Sequence, residues 1–285
     1  MYKIVRKKEL NPTMTQIEIE APLVAKKAKA GQFIILRVDP DGERIPLSYV
    51  GSDPEEGTVK VIFQIAGATT TLLNQKKEGE YISDFVGPLG KVTETEGINK
   101  VCVVGGGSGC AIAMPIAEEF HRLGADVTSI IGFRSKDLVI LEDEFRSFSN
   151  RLTVMTDDGS YARKGNVTVP LVEMLEAGEK FDIIITIGPL VMMKYVTLAA
   201  KPFGIPVRAS MNPIMVDGTG MCGSCRITLI QDGKRVTKFG CVDGPDFDAY
   251  EIDFDEAIIR GQRYEKHERR IHDKTCNLLK MGEEA

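Results

Sequence analysis

Asp217, Cys222, Cys225 and Cys241 are the residues whose types and spacing point most directly to chemistry. The first three stand in DGTGMCGSC, residues 217–225, and Cys241 follows after fifteen intervening residues. Clustered thiols in a glycine-rich loop read as metal ligands before they read as disulfides, and such a site takes four ligands. Plant-type [2Fe–2S] sites space their first ligands C-x4-C-x2-C, with a distant fourth. Aligning Cys222 and Cys225 with the second and third thiols puts Asp217 at the first position and Cys241 at the fourth. A carboxylate is a harder donor than thiolate and alters the potential of the iron it holds. Two other readings stay open. Asp217 can simply start a DG turn, with the fourth ligand elsewhere, or the same groups can bind zinc, which carries no electrons.

A second constellation is built from glycines. Gly105, Gly106, Gly107 and Gly109 in KVCVVGGGSG end a buried strand and open a helix. Glycines let a backbone approach a pyrophosphate, and a helix N-terminus offers it amide donors and positive dipole. A tight turn in a wound sheet is the plainer alternative. Gly188 and Pro189 in TIGPLVMMKYV lie at the carboxyl end of the fourth strand of the same sheet, where ligands of open α/β sheets bind. A proline at a helix start is also explained without a ligand, and Met192 and Met193 read as core.

Polar residues nearer the start are less specific. Arg44 and Ser48 in ERIPLSYV suit a phosphate and a polar ring edge, or an ordinary edge strand. Gly67, Thr69 and Thr70 in QIAGATTTLL suit an N-cap or an anion. Arg134 and Lys136 in GFRSKD suit a 2′-phosphate, and the loop 157–165 faces the same side of the sheet.

The elements that must position these residues fall into three groups. Residues 1–96 show six short alternating runs separated by turns such as DPDGE and DPEEG, which predicts a small antiparallel barrel or sandwich. Residues 97–210 alternate strands with helices, which predicts βαβ units and a doubly wound parallel sheet. Residues 211–285 open with the cysteine loop and continue through a hairpin turning at a DG pair. They close with a charged helix over about residues 255–279, where His267 and His272 read as surface residues.

Composition bounds the rest. The chain has 285 residues, room for two or three domains. A formal net charge of −5 argues against general affinity for nucleic acid or anionic membrane. No apolar run approaches the roughly 18 residues a membrane span requires. The start, MYKIVRKKEL, lacks the apolar stretch of a signal peptide, so a cytoplasmic location is expected.

Taken together, an RxPxS-like segment in a barrel, a GGGxG loop and a GPxxMM segment resemble the ferredoxin-NADP reductase superfamily. The C-terminal CVDGPDFDA is similar to the electron-transfer subunits of dihydroorotate dehydrogenase. It is closer still to the small subunits of NADH-dependent ferredoxin:NADP oxidoreductases. The resemblance covers nearly the whole chain. It implies FAD in the barrel, held by Arg44, Pro46, Leu47 and Ser48, with Gly67, Thr69 and Thr70 at its pyrophosphate. It implies a nicotinamide dinucleotide, NAD(H) ahead of NADP(H), on Gly105, Gly106, Gly107 and Gly109, with Gly188 and Pro189 opposite. It supports Asp217 as a [2Fe–2S] ligand. It further implies a heterodimer with a larger subunit carrying flavin and [4Fe–4S] centres, with ferredoxin reached through that subunit.

Two departures stand out. Many relatives have Cys before the GP pair, where this chain has Ile187. Cys110 stands where an apolar residue is common, and reads as packing. The expected chemistry is that of a splitter. A flavin takes electrons in pairs and an iron–sulfur cluster passes them singly, with catalysis assigned to the FAD and not to a side chain. The dihydroorotate dehydrogenase type of subunit is the alternative within this class. A nucleotide-binding module with structural zinc is the alternative outside it, and a colourless protein would favour it.

Overall fold

Alternation of branched apolar and polar residues drives the first strands. In MTQIEIE, Ile17 and Ile19 are buried while Gln16 and Glu18 point outward, as a pleated strand with one covered face requires. In this computed structural model, which describes residues 1–264, 266–271 and 273, seven strands and two short helices fill the first ninety positions. They are β1 Tyr2–Asn11, β2 Met14–Glu20, α1 Pro22–Ala25, β3 Phe33–Arg37, β4 Arg44–Asp53, β5 Thr58–Gln64, α2 Ala68–Gln75, β6 Tyr81–Ile82 and β7 Asp84–Leu89. Their order is β6-β1-β2-β5-β4-β3-β7, a curled antiparallel half-barrel. Its core includes Ile17, Ile34, Leu36, Val61 and Phe63. A fully buried side chain of this size contributes about 1.5–3 kcal/mol relative to exposure.

The next segment is wound as the alternation predicts. It comprises β8 Lys100–Gly106, α3 Cys110–Arg122, β9 Asp126–Phe133, α4 Glu142–Phe148, β10 Arg151–Thr156, β11 Arg163–Lys164, α5 Thr168–Glu176, β12 Ile183–Ile187, α6 Leu190–Ala200 and β13 Val207–Ser210. The strand β8 is apolar on both faces because both are covered. Val101 and Val103 pack with Ile116 and Phe120 of α3 and Phe145 of α4. Cys102 and Val104 pack with Leu171 of α5 and Val196 of α6.

The last segment holds β14 Arg226–Gln231, β15 Lys234–Phe239, β16 Asp246–Asp248 and α7 Phe254–Gly261. β14 and β15 form the expected hairpin. One feature differs from three self-contained units: β16 pairs antiparallel with β13 and completes the parallel sheet as β11-β10-β9-β8-β12-β13-β16. Three residues are too few to carry a readable alternation. Ile227, Leu229, Phe247 and Phe254 share a core with the α/β segment, while Met215, Cys225 and Cys241 share one with Phe33 and Ile35 of β3. The charged run expected to be helical begins as α7. It turns at residues 262–264 and is helical again over 266–271, where His267 is exposed, while His272 and residues 274–285, with Cys276 and Leu279, lie outside the described residues.

Candidate functional site

The cysteine loop runs from the end of β13 to β14, and its donors form two pairs. Asp217 accepts from the amides of Thr219 and Cys222, each at 3.0 Å, and the Cys222 thiol donates to its Oδ1 at 3.3 Å. The Cys225 and Cys241 sulfurs lie 3.2 Å apart. The pairs differ in setting: Cys222 is exposed, whereas Cys225 and Cys241 are 1% and 2% exposed. Amide donation, first from Thr219, holds the Asp217 carboxyl below its usual range. Hydrogen bonding to Ser224 lowers the Cys222 thiol. Burial, then the neighbouring Cys225, pushes Cys241 up to about 12. Among the described residues no three such donors converge on one point. Donors in two pairs fit a cluster with two irons better than a single tetrahedral zinc, which gathers its four ligands around one ion.

The glycine loop follows β8. Gly109 is there for packing, since a Cβ on it would lie 2.5 Å from the carbonyl oxygen of Ile187. Gly106 is equally crowded, by Met192, and Gly105 approaches Cys110 and Ala113. Gly107 is different. Its φ is +55°, and an added Cβ would meet nothing within 4 Å. Gly188, with φ of +154°, closes against Gly106, and Pro189 leads into α6. Cys110 is fully buried and burial raises its thiol, as a packing role requires.

Two cavities flank this loop. One, of about 420 Å³, lies between the half-barrel and the sheet, with Gly107, Ser108, Arg134, Gly188 and Pro189 in its wall. The other, of about 490 Å³, lies on the far side of Arg134 and is walled by Phe133, Asp157, Thr168, Val191, Met192 and Tyr195. Arg134 is exposed and has no ion pair among the described residues. Lys136 stands apart from both cavities, with its ammonium 5.6 Å from the Tyr161 ring.

The structure places Arg44 exposed at the start of β4 without an ion pair among the described residues. Pro46, Leu47 and Ser48 are half-buried and wall a narrow gap with Phe33, Asn212 and Met215. At the start of α2, Thr70 Oγ1 accepts from the amides of Ala66 and Gly67 at 3.0 Å, and Thr69 donates to Glu43 at 3.2 Å. Gly67 has open space where a Cβ would be. Sequence reasoning missed Asn212. It borders the crevice, the gap beside β4 and a cavity behind the cysteine loop, yet it belongs to no motif.

A curled antiparallel sheet, a doubly wound parallel sheet and a C-terminal loop of paired metal donors define a ferredoxin-reductase-type flavoprotein oxidoreductase subunit with an iron–sulfur binding domain. Residues 212–253 match the iron–sulfur cluster binding domain of dihydroorotate dehydrogenase B. The dihydroorotate dehydrogenase B (NAD(+)) electron transfer subunit homolog of Thermotoga maritima is 44% identical, over 94% of this chain and 93% of its own. The electron transfer subunit of that enzyme from Streptococcus pneumoniae is 32% identical, over 86% of this chain and 94% of its own. Among solved structures, one of the NADH-dependent reduced ferredoxin-NADP oxidoreductase superposes with a TM-score of 0.89 at 43% identity, covering 96% of this chain and 97% of that one. A cytochrome P450 reductase from Amycolatopsis, at 20% identity and a TM-score of 0.61 over 72% of this chain and 66% of its own, shares the fold. The chain belongs to the family of dihydroorotate dehydrogenase B electron-transfer subunits and their homologues.

Proposed function

We propose that this chain is the electron-transfer subunit of a flavin and iron–sulfur oxidoreductase. It exchanges hydride with NAD(H) and passes single electrons to or from a partner subunit. The observation that carries this reading is a shared wall. Phe33 pairs with Ser48 across β3 and β4, and the same Phe33 packs with Met215, Cys225 and Cys241.

Each group of residues has a role. Arg44 neutralises a pyrophosphate, helped by the open backbone at Gly67 and the start of α2, with Thr69 and Thr70 beside it. Pro46, Leu47 and Ser48, which line the gap beside β4, would position the flavin ring. Gly105, Gly106 and Gly109 shape the loop that lets Gly107 approach the dinucleotide, with Arg134 beside it and Gly188 and Pro189 opposite. Asp217, Cys222, Cys225 and Cys241 would hold a [2Fe–2S] cluster, Cys225 and Cys241 from the buried side of the loop and Asp217 and Cys222 from its exposed side. Bound there, FAD would accept hydride from NAD(H) and the [2Fe–2S] cluster would carry electrons one at a time. The residues supply position, charge and exclusion of water.

The partner that best fits is a larger subunit with its own flavin and [4Fe–4S] centres. It would form a heterodimer that reaches ferredoxin and bifurcates electrons. Support for this comes from the 43%-identical oxidoreductase, an enzyme of flavin-based electron bifurcation. The relatives named for dihydroorotate dehydrogenase favour a second reading, in which the partner oxidises dihydroorotate. The free thiols of the loop suit a cytoplasmic location. Among the described residues no helix is long and apolar enough to cross a membrane. The test is anaerobic reduction of the native complex by NADH, followed by electron paramagnetic resonance. Flavin bleaching with a reduced [2Fe–2S] signal is expected, and a colourless protein that gives neither overturns the reading. Dihydroorotate replacing reduced ferredoxin or NADPH as electron donor selects the second partner.

A further inference from the structure

Asn212 stands where three spaces meet. It follows β13 at the carboxyl end of the parallel sheet, the side on which open α/β sheets take their ligands. It lines the crevice beside the glycine loop together with Gly107, Gly188 and Pro189. It lines the gap beside β4 together with Phe33, Pro46 and Ser48. It also lines the cavity behind the cysteine loop, with Leu190 and Cys222. Among the described residues no other borders all three. With the dinucleotide in the crevice and the flavin ring at the gap, Asn212 marks the place where the two must meet.

The chain fixes its backbone there. Ser210 pairs with Asp246 across β13 and β16, and the Met211 amide donates to the Pro245 carbonyl at 3.0 Å. Pro213 comes next, and a proline holds the residue before it to extended conformations. Pro213 in turn packs on Gly240, where an added Cβ would lie 3.0 Å from its ring. Asn212 is thus anchored from both sides, while its own side chain is exposed and makes no hydrogen bond among the described residues. An anchored backbone carrying a free amide is preorganised, since binding then costs little further ordering.

The junction calls for a neutral ligand group. Among the described residues Arg134 is the one charged residue in the crevice wall, and the gap wall has none. An Asn side chain offers a carbonyl acceptor and an amino donor side by side. The nicotinamide carboxamide offers the same pair, so the two amides complement each other. We propose that Asn212 binds the carboxamide of the nicotinamide ring and so sets that ring against the gap beside Ser48. The inference rests on the reading of the crevice as a dinucleotide site and of the gap as a flavin site.

The test uses the holoprotein with NAD(H) and its acetylpyridine analogue, in which a methyl group replaces the amide nitrogen. That change removes the donors of the carboxamide and keeps its carbonyl. Calorimetric titration measures the affinity for each oxidised nucleotide, and stopped flow measures flavin bleaching by each reduced one, in the wild type and in Asn212→Ala. The variant should bind the oxidised natural nucleotide about tenfold more weakly, the effect of about one lost hydrogen bond, and bleach more slowly with limiting NADH by a similar factor. With the analogue each loss should be smaller by about threefold or more, which is the coupling between the two amides. The melting temperature should not move, because the side chain is exposed and unbonded. Equal losses with both nucleotides overturn the proposal, and so does an unchanged affinity. A variant that keeps both affinities but sheds FAD or shifts its reduction potential gives Asn212 to the flavin edge, and overturns it as well. If NADH leaves the wild-type flavin unbleached, the reading of the site fails and the assignment with it, before any variant is compared.

Discussion

The thiol of Cys222 lies 3.3 Å from a carboxylate oxygen of Asp217, five residues earlier in the same loop. The Cys225–Cys241 pair is separate, and among the described residues no three donors converge, so the proposed ligand role of Asp217 is one that substitution can test. Asp217→Cys should keep a [2Fe–2S] cluster with changed g-values, and Asp217→Ala should lose most of it. A spectrum of Asp217→Cys indistinguishable from wild type would remove Asp217 from the ligand set.

Asp157 bears on which dinucleotide binds. It shares the outer cavity with Arg134, and its carboxylate is unpaired among the described residues. A carboxylate there accepts hydrogen bonds from a ribose diol and repels a 2′-phosphate. Asp157→Ser should therefore shift the ratio of kcat/KM for NADPH over NADH upward by about tenfold, worth about 1.4 kcal/mol. Arg134→Ala should shift it the other way. Equal ratios in all three proteins would place the 2′ position elsewhere.

Gly107 and Gly109 are two residues apart and should fail differently. Gly109→Ala drives a Cβ into the Ile187 carbonyl, an overpacking that costs about 1–3 kcal/mol and lowers Tm by roughly 2–4 °C per kcal/mol. Gly107→Ala meets no neighbour but sits at a left-handed φ of +55°, a strain of about 1–2 kcal/mol. It should weaken dinucleotide binding more than it lowers Tm. Calorimetric titration with NAD(H) beside thermal melts separates the two, and parallel losses in both variants would contradict the assignment.

The half-barrel and the α/β sheet are legible in the sequence because their strands carry strong patterns. The alternation of Ile17 and Ile19 and the continuous apolar run of β8 each state a burial scheme outright. The four proposed metal donors stand out for a similar reason, since Asp217, Cys222 and Cys225 are spaced within one loop and Cys241 follows fifteen residues on. What is hidden is whatever depends on distant segments meeting. Asn212 touches three cavities only because β3, β8 and the cysteine loop converge there. The cavity behind the cysteine loop likewise brings Arg226 together with Arg260 and Arg263, more than thirty residues further along the chain. Lys136, adjacent to the cavity in sequence, turns instead toward Tyr161.

Asp246 supplies a prediction about pH. Its carboxyl is buried, accepts from Thr93 at 2.7 Å, and leaves Oδ1 without a partner among the described residues. Burial raises its pKa above the ordinary value, against lowering by Thr93 and Ser210. The fold therefore prefers the neutral acid. That contribution is complete below the unfolded-state pKa and is lost as pH rises through the folded one. Asp246→Asn should melt higher than wild type at pH 8, and the gap should close or reverse toward pH 4. A gap independent of pH would show that the carboxyl does not titrate with folding.

The C-terminal segment packs into one core with Phe33 and Ile35 of the half-barrel and into another with the α/β sheet, so it works as a clamp across both. A clamp fixes spacing. On the proposed reading, Phe33 and Met215, which line the gap beside Ser48 and pack against Cys225 and Cys241, would set the interval between flavin and cluster.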